Sequence, residues 1–254
     1  MNAARVSRKG HKWLALVVGV QLVAWSLSGL YMVVMDLDFI HGDPLVRNLE
    51  PAFRANDQVV ETKSLRSRFE DIRSIALRAA PDLGKPVYEI EARDGVFLVD
   101  AATGELLSPL PAARIGDLAR AYYAGNGAVA RVSLIDTEAA KPTELQSRPL
   151  PLWRVDFDDW LDTTLYLHPD TGRLVTRRHR FWRWFDFLWS LHIMDYRDRS
   201  DVNNWLLRIA TAGGVLATGS GIWLLYFSFG FLQRRRRQPS RGRRGASGHA
   251  GAAQ

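Results

Sequence analysis

The chain has 254 residues, no cysteine and a formal net charge of +7. Without thiols it can hold no disulfide, thiolate metal centre, iron–sulfur cluster or cysteine nucleophile. The positive excess lies in two tails, Arg5, Arg8, Lys9 and Lys12 at one end and seven arginines beyond residue 228 at the other, while residues 36–207 hold 22 basic residues against all 27 acids. The body of the chain is therefore no basic nucleic-acid-binding surface.

Residues 1–12 read as a basic cytoplasmic N-terminus. Residues 13–35, WLALVVGVQLVAWSLSGLYMVVM, carry no charge over 23 positions, about enough helix to cross a ~30 Å hydrocarbon core. A cleaved signal peptide would be shorter in its apolar part and followed by a small-x-small site. This segment ends in Tyr31, Met32 and Asp36, which predicts an uncleaved anchor.

Residues 36–125 form a first unit. Leu65, Phe69, Ile72, Ile75 and Leu77 predict an amphipathic helix over 64–80, ended by Pro81. VYEIEARDGVFLVDAATGELL (87–107) alternates as a hairpin and closes on a Thr-Gly turn. A helix follows over 113–125. The second unit, 126–180, opens with a strand over 129–136 and an irregular stretch, TEAAKPTELQSRPLP. LWRVDFDDWLDTTLYLHPDTGRLV (152–175) then repeats the earlier hairpin pattern, with Asp158 and Asp159 as solvated turn acids. The fold class is α+β: two spans flanking two antiparallel hairpin units with packed helices.

In 181–204, Phe181, Trp184, Phe185, Leu188, Leu191 and His192 recur at helical spacing. They predict an interfacial helix lying along the membrane surface, with His192 on its apolar face. Asp195, Asp198 and Asp201 follow as a solvated capping cluster. Residues 205–231 form the second span, with Arg208 snorkelling one turn inside and Trp205, Trp223 and Tyr226 near its ends. Its Gly213, Gly214, Gly219 and Gly221 allow close helix approach. Residues 232–254 read as a disordered basic cytoplasmic tail, a topology signal with some lipid contact rather than a nucleic-acid site. Basic residues outside both spans place both termini in the cytoplasm and residues ~40–195 in the periplasm of a two-pass protein of the bacterial inner membrane.

The spans echo one another, SLSGLYMVV in the first and ATGSGIWLLYF in the second. The Asp-x-x-Thr-Gly hairpins resemble the PepSY domain. His11-Lys12-Trp13, Leu191-His192, Ser28-Gly29-Leu30 and Thr218-Gly219-Ser220-Gly221-Ile222 resemble the PepSY-associated transmembrane family, in the order span–PepSY–PepSY–span. Larger members of that family have more spans. The resemblance implies, for some of them, a link to siderophore-iron uptake and haem-dependent reduction.

No H-E-x-x-H, G-x-S-x-G, Walker A or G-x-G-x-x-G motif occurs, so no catalytic residue or metal site is assigned. Among the histidines, His249 lies in the tail, His168 in a hairpin turn, and His179 among three arginines that disfavour a charged imidazole. His11 and His192 stand at the two span entries, and His41 follows the first span. His192 reads either as a snorkelling or hydrogen-bonded histidine or, with His11 and His41, as a candidate haem b ligand, since imidazole suits haem iron and an aromatic wall of Trp184, Leu188 and Trp189 suits the macrocycle. His11 and His192 lie roughly 30 Å apart by span length, so one haem cannot take both; His41 or a second copy in a homodimer would supply the opposite ligand.

Two functions fit. One is a non-catalytic periplasmic module that binds or restrains a peptidase or another envelope protein. The other is a haem-bearing electron carrier for iron or siderophore uptake. The topology is common to both, and a reporter active only in the periplasm, fused after Gln254, is expected to be silent; strong activity there would refute the two-span arrangement.

Overall fold

The computed structural model describes residues 3–49, 59–80 and 85–236. In chain order these form α1 (Ala3–Val34), α2 (Leu37–His41), α3 (Thr62–Leu65), β1 (Ser74–Ala80), β2 (Lys85–Ala92), β3 (Gly95–Asp100), α4 (Ala112–Tyr122), β4 (Ala128–Ile135), β5 (Leu152–Asp158), β6 (Thr164–Leu167), β7 (Leu174–Arg178), α5 (Arg180–Ile193) and α6 (Trp205–Arg236). The expected tail lies outside the described residues from position 237 onward. The strands form two antiparallel sheets, β1-β2-β3 and β4-β5-β6-β7. The class is α+β.

Two helices are long and apolar enough to cross a membrane, over Arg8–Val34 with mean hydropathy 1.8 and over Trp205–Tyr226 with mean hydropathy 1.3. Val17, Val20, Val33, Val215 and Leu216 are all exposed. A helix apolar on every side and covered by little protein needs lipid as its solvent. This is a membrane protein.

The chain divides into two compact units, residues 1–23 with 203–254, and residues 24–202. In the first, a methyl at Gly213 would stand 3.4 Å from Val18, and one at Gly221 3.4 Å from His11 Cε1. Gly214 and Gly219 face open space, so only two of the four expected glycines serve helix contact.

In the second unit both predicted hairpins are present, as β2–β3 and β5–β6. They share more than strand order. The Asp100 amide donates to Glu105 O and the Gly104 amide to Asp100 O; the His168 amide likewise donates to Arg173 O and the Gly172 amide to His168 O. Gly104 and Gly172 both take positive φ, 74° and 65°, a conformation that glycine adopts without steric cost. After this turn the first chain segment pairs back only at Val99 and Leu106, where the second builds the whole of β7.

The helix predicted over 64–80 is not there. Its first residues make only the single turn of α3, and its last seven are β1, paired along β2 with Ile75 opposite Ile90. Leu65, Phe69, Ile72 and Ile75 do share one apolar cluster with Tyr88, Ile90 and Val99. They reach it through a turn and a strand, and that common burial imitates helical spacing. The opposite faces of the sheets share a core of Val87, Leu98, Val155, Phe157, Leu165 and Leu167 with Leu118 of α4. Asp159 is also no mere solvated acid: it accepts hydrogen bonds from Tyr123 Oη at 2.6 Å and from the Thr163 amide and hydroxyl at 2.8 and 2.6 Å.

The two repeated turns differ in what surrounds them. A Cβ at Gly172 would stand 2.5 Å from Leu118 Cδ1 and 2.9 Å from Leu110 Cδ1, whereas at Gly104 the nearest atom is Val60 Cγ2 at 3.8 Å. Gly104→Ala is expected to cost roughly 1–2 kcal/mol, from the backbone alone. Gly172→Ala adds overpacking worth about 1–3 kcal/mol. Thermal melts of the two variants would show the larger drop for Gly172→Ala, and equal drops would refute the packing assignment.

Candidate functional site

The helix that carries His192 is built inside out. Its buried residues are Trp182, Asp186, Ser190 and Ile193, a stripe at helical spacing that is half polar. Trp184 and Phe187, by contrast, are 56% and 45% exposed. In a water-soluble domain the apolar stripe faces the protein. Here the polar stripe faces the protein and the aromatic one faces outward, as a helix bordered by lipid requires.

The polar stripe meets a polar sheet face. Thr164 and Tyr166 alternate with the leucines of β6, Thr176 and Arg178 flank Arg177 in β7, and all four are buried. Glu144, from the irregular stretch before β5, lies among them. Arg183 Nε donates to Glu144 Oε2 at 2.6 Å, and the Tyr166 hydroxyl donates to Glu144 Oε1. Arg183 also donates to Thr164 Oγ1 at 2.9 Å. One turn further, Asp186 accepts from Gln146 Nε2 at 3.1 Å and pairs with Arg199. The Arg178 guanidinium stands 3.8 Å over the Trp182 ring, a cation–π contact. Burial alone would push the Glu144 carboxyl up, but the hydrogen bonds and charge of Arg183, with the Tyr166 hydroxyl, outweigh it and hold the carboxyl below the usual carboxylate range.

His179 precedes this helix and is fully buried. Its Nε2 lies 2.9 Å from Phe39 O and 3.1 Å from Ile40 O, so Nε2 carries the proton and ties α2 to the start of α5. Its Nδ1 is buried with no hydrogen-bond partner among the described residues. Burial, which outweighs the two carbonyl bonds, lowers the imidazole pKa and keeps the ring neutral. The neighbouring arginines suggested nothing for His179; its role comes from distant carbonyls invisible in local sequence.

His192 lies against α1. Tyr31 Oη donates to Phe181 O at 3.1 Å and Trp25 Nε1 to His192 O at 2.8 Å, which pins both ends of α5 to one helix. Trp25 is six residues before Tyr31, about 9 Å along a helix axis. Both positions fall within the candidate span Arg8–Val34, so α5 runs along α1. His192 Nδ1 stands 2.9 Å from Ser28 Oγ, and a Cβ on Gly29 would be 3.8 Å from His192 Cε1. Trp189 stacks beside the imidazole, with centroids 6.4 Å apart and planes 11° apart. Of the expected aromatic wall, Trp189 is therefore at the histidine, while Trp184 points outward two turns earlier.

His11 repeats the arrangement in the other unit. Its Nδ1 lies 2.7 Å from Ser220 Oγ, beside Gly221. Among the described residues, Nε2 of neither histidine has a hydrogen-bond partner. His41 is exposed, and its contribution is a backbone carbonyl that accepts from Arg177 Nε at 3.0 Å. The structure does not bring His41 to His192. No group of three or more metal-ligating side chains occurs among the described residues. The serines were visible in sequence only as parts of a small-residue echo between the spans.

The family model described as the PepSY-associated TM region matches residues 8–250. No curated protein and no solved structure matches the chain.

Acid is expected to loosen the second unit in two steps. His179 is kept neutral by burial, so the unfolded chain binds the extra proton as pH falls below its ordinary value of 6.5. Glu144 is held ionised, so its contribution is present above its ordinary 4.5 and lost below. Melting temperatures of the detergent-solubilised protein should be level above about pH 7.5 and fall first through the histidine range and then through the carboxylate range. A flat profile between pH 7 and 5 would contradict the buried neutral imidazole.

Proposed function

Because the chain belongs to the PepSY-associated transmembrane family, we propose that it is a two-span inner-membrane protein that holds haem b at His192 and at His11 and carries electrons for iron or siderophore uptake. The observation that carries this reading is the repeated histidine geometry: Nδ1 tied to a serine at 2.9 and 2.7 Å, a glycine under Cε1, and no hydrogen-bond partner for Nε2 among the described residues, with Trp189 stacked beside His192. A polar nitrogen without a hydrogen-bond partner at membrane depth is costly, and coordination to iron would satisfy it. Bound haem would supply one-electron chemistry. The chain's own residues orient each imidazole through a serine hydroxyl.

Each unit offers one histidine in this serine-bound geometry, so a second ligand would have to come from another copy of the chain in a homodimer. The acid-free basic tails support cytoplasmic termini, with the sheets in the periplasm. The alternative, a non-catalytic module that binds a periplasmic peptidase or envelope protein, accounts for the sheets but leaves the paired histidine geometry without a role.

The visible spectrum separates the two. Protein from haem-supplemented cells, purified in detergent, is expected to show a Soret band that falls by about half in His192→Ala and in His11→Ala and vanishes in the double variant. Colourless wild-type protein would overturn the haem reading and favour the binding module.

A further inference from the structure

We infer that Ser28 and Ser220 are positioning residues that lock His192 and His11 in the Nδ1–H tautomer, so that each Nε2 is presented as a free lone pair. The inference deepens the haem reading and rests on it for its purpose, but its physical content belongs to the apoprotein. A serine hydroxyl has one proton to give. Ser28 Oγ lies 2.8 Å from Ala24 O and 3.2 Å from Trp25 O, and Ser220 Oγ lies 2.9 Å from Ala217 O. These are back-bonds to the preceding helical turn, a common habit of serine in spans. A carbonyl oxygen only accepts, so the back-bond consumes the hydroxyl proton. The contact between Oγ and Nδ1 can then be made only by a proton on Nδ1. In a neutral imidazole the other nitrogen is bare.

The adjacent glycines are part of the same device. Gly29 and Gly221 each follow the serine, and the histidine Cε1 edge lies over them, 3.8 and 3.4 Å from where a Cβ would be. Cε1 is the carbon between the two nitrogens. Seating it on glycine turns Nδ1 to the hydroxyl and leaves Nε2 on the far side of that bond. The same Ser-Gly pair meets the same edge of the ring in both units. A packing contact that merely fills space would have no reason to repeat the donor atom.

A metal ion takes the deprotonated nitrogen of an imidazole, and the hydrogen bond at the other nitrogen fixes ring orientation and tautomer. Neutral histidine in water favours the proton on Nε2, the wrong nitrogen for a ligand held by Nδ1. The serines reverse that preference before any ligand arrives.

The test reads the tautomer in haem-free protein. With ring-15N histidine in lipid nanodiscs at alkaline pH, and signals assigned by their loss in His192→Gln and His11→Gln, both residues should show a protonated Nδ1 and an unprotonated Nε2. Ser28→Ala should move His192 toward the Nε2–H form and leave His11 unchanged, Ser220→Ala should do the converse, and Ser28→Thr, which keeps a back-bonding hydroxyl, should restore the wild-type pattern. An Nε2–H tautomer in wild-type protein, or an unchanged tautomer in both alanine variants, overturns the lock. The two readings fail separately. The expected tautomers in a protein without a Soret band sustain the lock and refute haem, whereas a Soret band on a protein with Nε2–H rings sustains haem and refutes the lock.

Discussion

The ion pair between Glu144 and Arg183 sits where a polar helix stripe meets a polar sheet face, and the placement of His192 follows from it. Glu144 is 8% exposed and receives Arg183, the Tyr166 hydroxyl and, at its backbone carbonyl, Arg178 Nε. A pair this buried adds little net stability, because the desolvation of both charges offsets most of their attraction. What it adds is register. A helix held by leucines can slide or rotate by a fraction of a turn at small cost, whereas one held by a forked guanidinium on a carboxylate cannot. Removing Arg183 leaves the Glu144 carboxylate charged and largely buried, which costs about 3–5 kcal/mol. The helix α5 is thus fixed against the sheet at its second turn, and Asp186 fixes it again one turn later.

With its polar stripe committed inward, the helix turns mostly aromatic and aliphatic side chains, beside Arg180 and His192, to its other side. That surface is stable only against lipid or another apolar helix, and α1 supplies the latter through Trp25, Ser28 and Tyr31. The chain then turns sharply. Asp195 Oδ1 accepts from the amides of Arg197 and Asp198, and Oδ2 from those of Ser200 and Asp201. Four backbone donors that would otherwise be exposed near a membrane are satisfied by one carboxylate before α6 begins. The three aspartates that look like one capping cluster in sequence divide their labour: Asp195 organises the loop, and the other two lend it their amides.

Legibility in the sequence follows from the range of the interactions concerned. The spans were legible because an uncharged run is a local property, and the hairpins because alternation and a Thr-Gly turn are local too. The helix expected over 64–80 failed because its apolar residues converge on one cluster by a route that spacing alone does not distinguish from a helix. His192 was legible as a candidate from its aromatic company, yet the periodicity assigned the aromatic stripe to the surface and missed the polar stripe beneath it. Glu144 and His179 were illegible. The first lies in a stretch without periodicity, and the second draws its meaning from carbonyls some 140 residues away. A retrospective signal does exist in the alternation of Thr164 and Tyr166 with the leucines of β6, which marks a second sheet face that is polar and yet requires a cover.

The choice of serine as the partner of each histidine follows from the surrounding solvent. Many ligating histidines in proteins donate to a carboxylate, which raises the basicity of the ring. Within a span a carboxylate would bring a net charge into hydrocarbon, at a cost of several kcal/mol unless a cation accompanied it. A hydroxyl brings none, and its own proton is already spent on the helix backbone. The serine can therefore orient the imidazole without adding charge, and the ring stays a weaker electron donor than one paired with aspartate. Local backbone hydrogen bonding, lipid solvation and ligand chemistry therefore lead to the same residue at both positions.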